Sequence, residues 1–401
     1  MTYDIIIKNA KLRNCDTLMR IAVQGGKIAA IEKDLPADAR QIIDAKGGLV
    51  TESFVNGHLH LDKVYTLGMA GEAALTAYNG EGMGGAMTSI ERAADFKSAY
   101  DESWIIPNVR KACDLAVKYG NTHIRAFADV DAKAKLTGVS ALLKMREEYK
   151  DRVTLQVVAF PQDGVAREPG AKELVRQALE LGADVVGGIP WIELTKEAEQ
   201  DHVDSMCAFA KAYDKPISML LDDVGDAEER TLEMLCKQSI AMGWQGRVTA
   251  QHCRAMALYP ENYFRKLVSL LKQAGVGVVS DPQTGPLAAR VKDLLAAGVP
   301  MALGQDDIQD AYYPFGENNM LQVAFLASHL LRMLTREDMD LLYDMITTGA
   351  AKVLGIENHT LAVGGNADLV VLDEEDVYHA IWYHRAPVYV IKNGVDITVK
   401  A

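Results

Sequence analysis

The sequence has little cysteine, no excess of positive charge and no long apolar run, and each shortage excludes a class of protein. Five cysteines are scattered along 401 residues without a C-x-x-C pair, which excludes a disulfide framework or a zinc knuckle and is typical of reduced thiols in a cytoplasm. The net charge of −13 argues against a nucleic-acid partner, because phosphate binding requires clustered cations. No apolar run approaches the roughly 20 residues of a membrane span, so we expect no membrane partner.

Nucleotide-binding motifs are also lacking. The chain contains no P-loop, and no G-x-G-x-x-G follows its first central strand, which disfavours a nucleotide-dependent enzyme and a doubly wound open sheet. The glycine-rich stretch Gly80–Gly85 is more typical of a mobile loop that closes over a site than of a phosphate cradle. With 49% apolar and 24% charged residues, the composition is that of a globular protein, and a small-molecule ligand is the default expectation.

The central region alternates short β-branched runs with longer amphipathic stretches. Apolar residues recur at i, i+3 and i+4 in stretches such as Trp104–Tyr119 and Ala198–Ala212, which predicts helices. Eight strand–helix units in series predict a parallel sheet closed into a (β/α)8 TIM barrel. The predicted strands are Phe54–His60, Thr122–Val130, Val153–Phe160, Asp184–Ile189, Pro216–Asp222, Arg247–Cys253, Gly275–Ser280 and Pro300–Gln305.

Both ends of the chain show β patterns instead. A Gly-Gly turn at residues 25–26 and an Asn-Gly turn at residues 393–394 each separate two short apolar runs, and each predicts a hairpin. The simplest arrangement is one small β-sandwich domain built from both termini. We therefore assign residues 1–50 and 357–401 to this composite domain and residues 51–356 to the barrel.

Two histidines stand at the end of the first predicted barrel strand. His58 and His60 are two residues apart, so both imidazoles lie on one face of the strand, at the rim where such barrels hold their active sites. Such a pair is a natural set of metal ligands, although an isolated H-x-H also occurs by chance. The neighbouring polar residues Asn56 and Asp62, in an otherwise apolar strand, favour the metal site.

Further polar residues end other strands at the same rim. Asp306 and Asp307 follow the eighth strand, His252 ends the sixth, and Asp223 follows the fifth. Asp306 could ligate a metal and accept a proton from water, whereas an ordinary helix cap is the alternative for such residues and has equal weight for Asp307. The remaining histidines are interpreted as structural: His123, His202, His329, His359, His379 and His384.

The segments around these residues resemble the amidohydrolase superfamily, in particular the branch of bacterial cytosine deaminase and isopropylammelide hydrolase. The resemblance runs nearly from end to end and implies hydrolytic deamination or C–N bond hydrolysis of a nitrogen heterocycle by a metal-activated water. It is carried by Phe54–Lys63, Val157–Gly164, Gly182–Pro190, Arg247–His252, Gly304–Asp307, Tyr313–Gly316, Asn319–Val323 and Val363–Leu372.

The resemblance implies a metal centre. His58, His60 and Asp306 would be the metal ligands, and Asp306 would also take the proton of the attacking water. The metal would be one divalent ion, zinc or iron, with manganese as an alternative that family members also use. A single ion is expected because no lysine lies near Gly187–Pro190 that could form a bridging carbamate.

The resemblance also implies roles in binding a small heterocyclic substrate and in proton transfer. His252 would orient the nucleophile or polarise the substrate, and Asp223 would pass protons to the ring and the leaving amine. Gln162 would hold the amide edge of the substrate, with Tyr312 and Asp307 beside it in the pocket. The sequence leaves the oligomeric state open, and a homo-oligomer is one expectation.

Several pocket positions depart from the family pattern. Leu220 replaces the histidine ligand of the fifth strand, so His252, Asp222 or water would have to complete the metal site. Phe127 and Gln305 replace two other family histidines, and Asp223 stands where cytosine deaminase has a glutamate. The alternative hypothesis is therefore a catalytically impaired barrel that binds a small ring compound without hydrolysing it.

Overall fold

The computed structural model describes residues 2–35, 38–70 and 97–399, and the predicted loop Gly80–Gly85 lies outside them. The N-terminal residues form four strands, β1 (Tyr3–Ala10), β2 (Met19–Gln24), β3 (Lys27–Glu32) and β4 (Ala39–Asp44). They make one sheet in the order β3-β2-β1-β4. In this sheet β1 pairs antiparallel with β2 and parallel with β4.

A parallel eight-stranded sheet follows the short strand β5 (Val50–Glu52) and confirms the predicted barrel. Nearly every residue of these strands is buried, because side chains on one face fill the barrel and those on the other pack under helices. The strands are β6 (Phe54–Leu59), β7 (Asn121–Asp129), β8 (Thr154–Phe160), β9 (Val185–Gly188), β10 (Ile217–Leu221), β11 (Val248–His252), β12 (Val276–Ser280) and β13 (Met301–Leu303).

The barrel closes between its first and last strands at residues that the sequence assigns to the site. The backbone N–H of His60 donates to the carbonyl of Asp306 at 2.8 Å, and the N–H of Asp306 donates to the carbonyl of His58 at 2.8 Å. Gly304 permits this approach, since a Cβ there would lie 2.6 Å from the Cβ of His58 and 2.2 Å from Oδ1 of Asp281. Closure therefore brings the H-x-H pair and Asp306 together through the backbone.

Helices surround the barrel, and their apolar faces join one continuous core with the strands. Left-handed glycines end several of them, as Gly182 and Gly243 do, because glycine adopts positive φ without steric cost. The helices are α1 (Leu67–Ala70), α2 (Glu102–Lys118), α3 (Thr137–Tyr149), α4 (Ala171–Leu181), α5 (Lys196–Tyr213), α6 (Thr231–Met242), α7 (Glu261–Ala274), α8 (Val291–Ala296), α9 (Met320–Leu330), α10 (Arg336–Asp344), α11 (Thr348–Leu354) and α12 (Val377–Tyr383).

The C-terminal residues return to the N-terminal sheet. β14 (Leu369–Val371), β15 (Tyr389–Lys392) and β16 (Val395–Asp396) form a second sheet in the order β16-β15-β14-β5. Its buried side chains share one apolar core with those of the first sheet, as the β-sandwich prediction requires. Division of the chain at residues 50 and 357 stays a proposal, and β5 extends this sheet to residue 52.

The structure differs from the sequence prediction in one terminal element. The last segment was expected to be β, but α12 stands between β14 and β15. The Asp376 side chain accepts from the backbone N–H of His379 and caps this helix, and Val377, Ala380 and Ile381 form its buried face. Within the described part of the chain, no helix is long and apolar enough to cross a bilayer.

Candidate active site

Four predicted site residues meet at the carboxyl ends of the barrel strands. His58 lies in β6 and His60 directly after it, His252 ends β11, and Asp306 follows β13. All four side chains are buried. His252 and Asp306 have positive φ values of 63° and 66°, a conformation that costs non-glycine residues on the order of 1–3 kcal/mol. The turn that each makes leaves its side chain at the rim of the barrel interior.

The ring nitrogens of the three histidines converge on one carboxylate oxygen. Oδ1 of Asp306 lies 3.1 Å from Nε2 of His58 and 3.8 Å from Nε2 of both His60 and His252. The two Nε2 atoms of the H-x-H pair are 3.3 Å apart. Ligand atoms at about 2.0–2.2 Å from a tetrahedral ion are separated by roughly 3.3–3.6 Å, so these spacings are close to those of a single divalent metal.

The protonation states also fit a metal site. Burial lowers the pKa of His58, and it lowers the pKa of His60 and His252 well below the ordinary histidine value. The imidazoles are therefore neutral and offer lone pairs. Burial by itself would raise the pKa of Asp306, but His252 and His58 outweigh it and hold that pKa well below the ordinary value. An ionised carboxylate thus faces neutral imidazoles, the donor set that binds zinc or iron.

A cavity opens above this cluster, with about 430 Å³ of empty space that includes open solvent. Seven of the residues that line it belong to the predicted site, and the other four are one arginine and three apolar residues. The lining residues are His60, Gln162, Asp223, His252, Asp306, Asp307 and Tyr312 of the predicted site together with Ile189, Trp191, Leu220 and Arg254.

Arg254 organises the acidic side of the cavity. Its Nη1 donates to Oδ1 of Asp223 at 2.6 Å, and its Nη2 lies 3.7 Å from Oδ2 of Asp306. The Thr284 hydroxyl donates to Oδ2 of Asp306 at 2.6 Å, which leaves Oδ1 facing the histidines. Burial raises the pKa of Asp223 to about 6, although the guanidinium opposes that rise. Asp223 can therefore exchange a proton near neutral pH.

The opposite side of the cavity carries Gln162, Tyr312 and Asp307. Nε2 of Gln162 donates to the Tyr312 hydroxyl at 3.2 Å. Asp310 accepts from the backbone N–H of Tyr312 at 2.9 Å and so fixes the turn that presents the phenol. Burial and the charges of Asp306 and Asp310 raise the pKa of Asp307 well above the ordinary value. Asp307 lines the cavity, which favours its interpretation as a pocket residue over a helix cap.

Leu220 occupies the expected position of the absent ligand. It lies in β10 with 4% of its surface exposed, and it belongs to an apolar cluster with Phe127, Ile189, Trp191 and Tyr312. The Phe127 ring stands 4.2 Å from the His58 ring between their centroids. Two positions that hold histidine in the resembling family thus form an apolar wall beside the polar cluster.

Water, His252 and Asp222 were the candidates for completing the metal site, and the structure distinguishes the two side chains. The Asp222 carboxylate accepts from the Thr231 hydroxyl at 2.7 Å and from the backbone N–H of Leu232 at 3.0 Å, and the Tyr259 hydroxyl also donates to it. Asp222 therefore anchors the start of α6 and does not face the cavity. His252 is the residue that faces the cluster.

Other histidines have ordinary partners, as the sequence analysis expected. Nδ1 of His202 lies 2.8 Å from Oε1 of Glu193, which stands in the loop after β9. Glu193 also accepts from backbone N–H groups of the loop after β8, so it links these two loops. His123, His359 and Asp368 form a second buried group that could hold a metal. In that group the Lys392 ammonium lies 2.9 Å from Nε2 of His123 and 3.1 Å from Asp368, where it neutralises the carboxylate.

Sequence reasoning missed four residues that shape the site: Lys63, Trp191, Arg254 and Thr284. Arg254 had a usable signal, because it is a lone charge in the apolar segment Cys253–Leu258 directly after the strand-ending His252. Lys63 also had a usable signal, because it is a charged residue only three positions after the H-x-H motif. Trp191 and Thr284 lie in 3₁₀ turns after β9 and β12, and no pattern in the sequence distinguishes them.

The fold and the site define a (β/α)8 protein with a buried His/Asp metal-binding geometry at the carboxyl ends of its strands and a composite β domain. The amidohydrolase family model matches residues 41–397, and the chain belongs to this family. It is 33% identical over 394 residues to the N-isopropylammelide isopropyl amidohydrolase of a Pseudomonas species, covering 98% of this chain and 96% of that one.

Solved structures agree with this assignment. The chain superposes on 5-methylcytosine deaminase from Klebsiella pneumoniae liganded with 5-fluorocytosine with a TM-score of 0.89 and 31% identity, covering 99% of this chain and 98% of that one. It superposes on N-isopropylammelide isopropylaminohydrolase from Burkholderia multivorans with a TM-score of 0.85 and 25% identity, covering 99% and 98%.

Proposed function

We propose that this protein is a metal-dependent hydrolase that cleaves an exocyclic C–N bond of a nitrogen heterocycle and releases ammonia or an amine. The observation that carries the proposal is the convergence of His58, His60 and His252 on Asp306 below the cavity. The similar proteins are named for reactions on ammelide and cytosine derivatives, which supports a pyrimidine, a triazine or a related ring as the substrate.

His58, His60 and Asp306 would hold one divalent ion, zinc or iron, with manganese as an alternative, and His252 lies within reach of the same position. A bound divalent ion lowers the pKa of water toward about 7 and so supplies a nucleophile at neutral pH. One ion is expected because no lysine that could bridge two metals lies near Gly187–Pro190, at the end of β9.

The chain's own residues would move the protons. Asp306 accepts a proton from the attacking water, since its carboxylate is ionised and is held by Thr284. His252 orients the nucleophile and is itself faced by Asp281, whose Oδ2 lies 3.3 Å from Nδ1. Asp223, on the Arg254 side of the cavity, gives the proton of its own carboxyl group to the leaving nitrogen, and it is reprotonated from solvent when Asp306 releases the proton taken from water. Gln162, Tyr312 and Asp307 bind the polar edge of the ring.

The cellular context is part of the same proposal. All five cysteines are free thiols, which fits a reducing cytoplasm. A small heterocycle is the proposed partner, without nucleic acid or membrane. A homo-oligomer remains the expected assembly to test by light scattering.

Removal of the metal is the direct test of this function. We expect chelator-treated protein to lose more than 99% of its turnover and to recover it when Zn²⁺, Fe²⁺ or Mn²⁺ is restored, because no side chain of the site can activate water alone. The readout is ammonia or amine release from a panel of aminated and N-alkylated pyrimidines, triazines and purines. Full activity in metal-free protein would contradict the proposal.

The companion variant is His60→Ala, which removes one proposed ligand and should abolish stoichiometric metal binding measured by elemental analysis. His329→Ala is the matched control, because His329 is exposed on α9 and lies away from the cavity. The control should retain both metal and turnover. Metal content equal to wild type in His60→Ala would argue against the ligand assignment.

Leu220→His should rebuild the ligand that the family pattern contains. We expect metal affinity to rise on the order of 10- to 100-fold, measured by competition with a fluorescent chelator. Turnover of the protein's best substrate should fall, because an imidazole would replace the apolar contact of Leu220 with the aromatic wall. Leu220→Ile keeps the apolar volume and should change neither quantity much. Unchanged metal affinity in Leu220→His would show that this position does not reach the metal.

A further inference from the structure

We propose that Lys63 is a specificity-determining positioning residue, which fixes the amide of Gln162 so that its N–H groups face the ligand and select rings with an acceptor at that edge. The inference rests on the proposed function, since it treats the cavity as the site for a heterocycle. It extends that function by naming the group that the ring must present to the Gln162 amide, an exocyclic oxo oxygen.

The amide orientation follows from the chemistry of its neighbour. Nζ of Lys63 donates to the side-chain oxygen of Gln162 and also to Asp129, at 2.9 Å to Oδ1 and 3.0 Å to Oδ2. An ammonium group has donors and no acceptor. The Gln162 atom that faces Lys63 must therefore be the carbonyl oxygen, and the NH₂ group must point the other way.

Lys63 is held as a cation in this position. Only 5% of its surface is exposed. Burial alone would lower the pKa of Lys63, but the carboxylates of Asp129 and Asp62 outweigh burial and raise it. Asp129 is itself fixed by Lys97, which lies 3.1 Å from Oδ2 and also contacts Asp163 at 2.8 Å. The anchor of the Gln162 amide is thus a rigid buried ion network.

The other end of the amide reaches the cavity. Nε2 of Gln162 uses one N–H for the Tyr312 hydroxyl at 3.2 Å, and both residues line the cavity. An amide NH₂ has a second N–H, for which the described residues supply no hydrogen-bond partner to Gln162 beyond Tyr312. A ring acceptor would satisfy that N–H. A ring amino group would bring two donors together and leave both without a partner, which costs affinity.

Two rings that cannot be hydrolysed make the test independent of turnover. 4-Methylpyrimidin-2-one presents an oxo group and 2-amino-4-methylpyrimidine presents an amino group at the same ring carbon, and in both a methyl group stands where the leaving amine would be. We expect the metal-loaded wild-type protein to bind the oxo ring roughly 10- to 100-fold more tightly, measured by calorimetry.

Gln162→Glu should reverse this preference at pH 8. One carboxylate oxygen keeps the contact with Lys63, and the other replaces the NH₂ group by an acceptor. Lys63→Met should instead bring the ratio of the two dissociation constants close to one, because the released amide can turn either way. Lys392→Met is the matched control: it removes a buried ammonium that pairs with Asp368 and does not line the cavity, so the preference should persist.

The outcomes separate this inference from the proposed function. A preference that survives Gln162→Glu or Lys63→Met, a wild-type preference for the amino ring, or failure of both rings to bind would overturn the role of Lys63. If Lys63→Met does not fold, the reversal in Gln162→Glu decides alone. Absence of hydrolysis across the substrate panel would count against the proposed function while leaving the binding preference as evidence for Lys63.

Discussion

Replacement of Asp306 by asparagine is expected to lower kcat/KM by roughly 10⁴-fold, the upper range for loss of a general base. Asparagine keeps the shape of the side chain and an oxygen that can accept from Thr284, whose hydroxyl lies 2.6 Å from Oδ2. It removes the negative charge on which His58, His60 and His252 converge and the lone pair that would take the proton of water. Both effects lower kcat/KM, so we expect Asp306→Asn to lose more activity than a substitution of any other single pocket residue.

The measurement for Asp306→Asn combines steady-state kinetics with metal content. We expect less than one equivalent of metal and no recovery of turnover at saturating metal, because the proton acceptor is absent even when the ion is supplied. Asp16→Asn, at an exposed position of the composite domain, is the control and should behave as wild type. Retention of more than a tenth of the activity would exclude Asp306 as the base.

Asp223→Asn is expected to have the second-largest effect, a loss of about 10²- to 10⁴-fold in kcat with little change in metal content. The amide oxygen can still accept from Arg254, whose Nη1 lies 2.6 Å from Oδ1 in the native protein. The variant can no longer carry a proton to the leaving nitrogen. Asp223→Glu restores the carboxylate and should recover part of the rate.

The pH profile separates this proton-transfer role from a packing role. Burial raises the pKa of Asp223 to about 6, so its protonated fraction falls as the pH rises above that value. Because the proposed role of Asp223 is to give a proton to the leaving nitrogen, kcat/KM of the wild type should fall as the pH rises, with an inflection near pH 6. Asp223→Asn should lose that inflection, and a profile with the same inflection in this variant would assign the titration to another group.

The comparison with hydrolases acting on related rings favours catalysis over the binding-only alternative that Leu220 raised. Leu220 alters the pocket more than the fold. It extends the apolar surface of Phe127, Ile189 and Trp191 along the cavity. The site keeps three imidazoles and one carboxylate for a metal without it.

The barrel could be predicted from the sequence because its signals are local. All eight predicted strands coincide with β6–β13 within two residues at each end, since each is a short apolar run with polar or glycine residues at its limits. The H-x-H pair and Asp306 could also be located, because parallel strands bring their carboxyl ends to one rim. The helix Val377–Tyr383 was missed, because its apolar face is short and its cap depends on Asp376 alone.

What only the tertiary structure decided is how side chains far apart in sequence share protons and partners. The Gln162 amide is oriented by Lys63 from another loop, and Asp223 is paired with Arg254 from the turn that follows the next strand. Asp222 and Asp223 are adjacent acids, yet one caps a helix and the other lines the cavity. The sequence shows the residue types and their periodicity. Contacts between side chains from different loops form only when the barrel closes. Burial then changes the free energy of each charged group, because the neighbouring groups replace water as its partners.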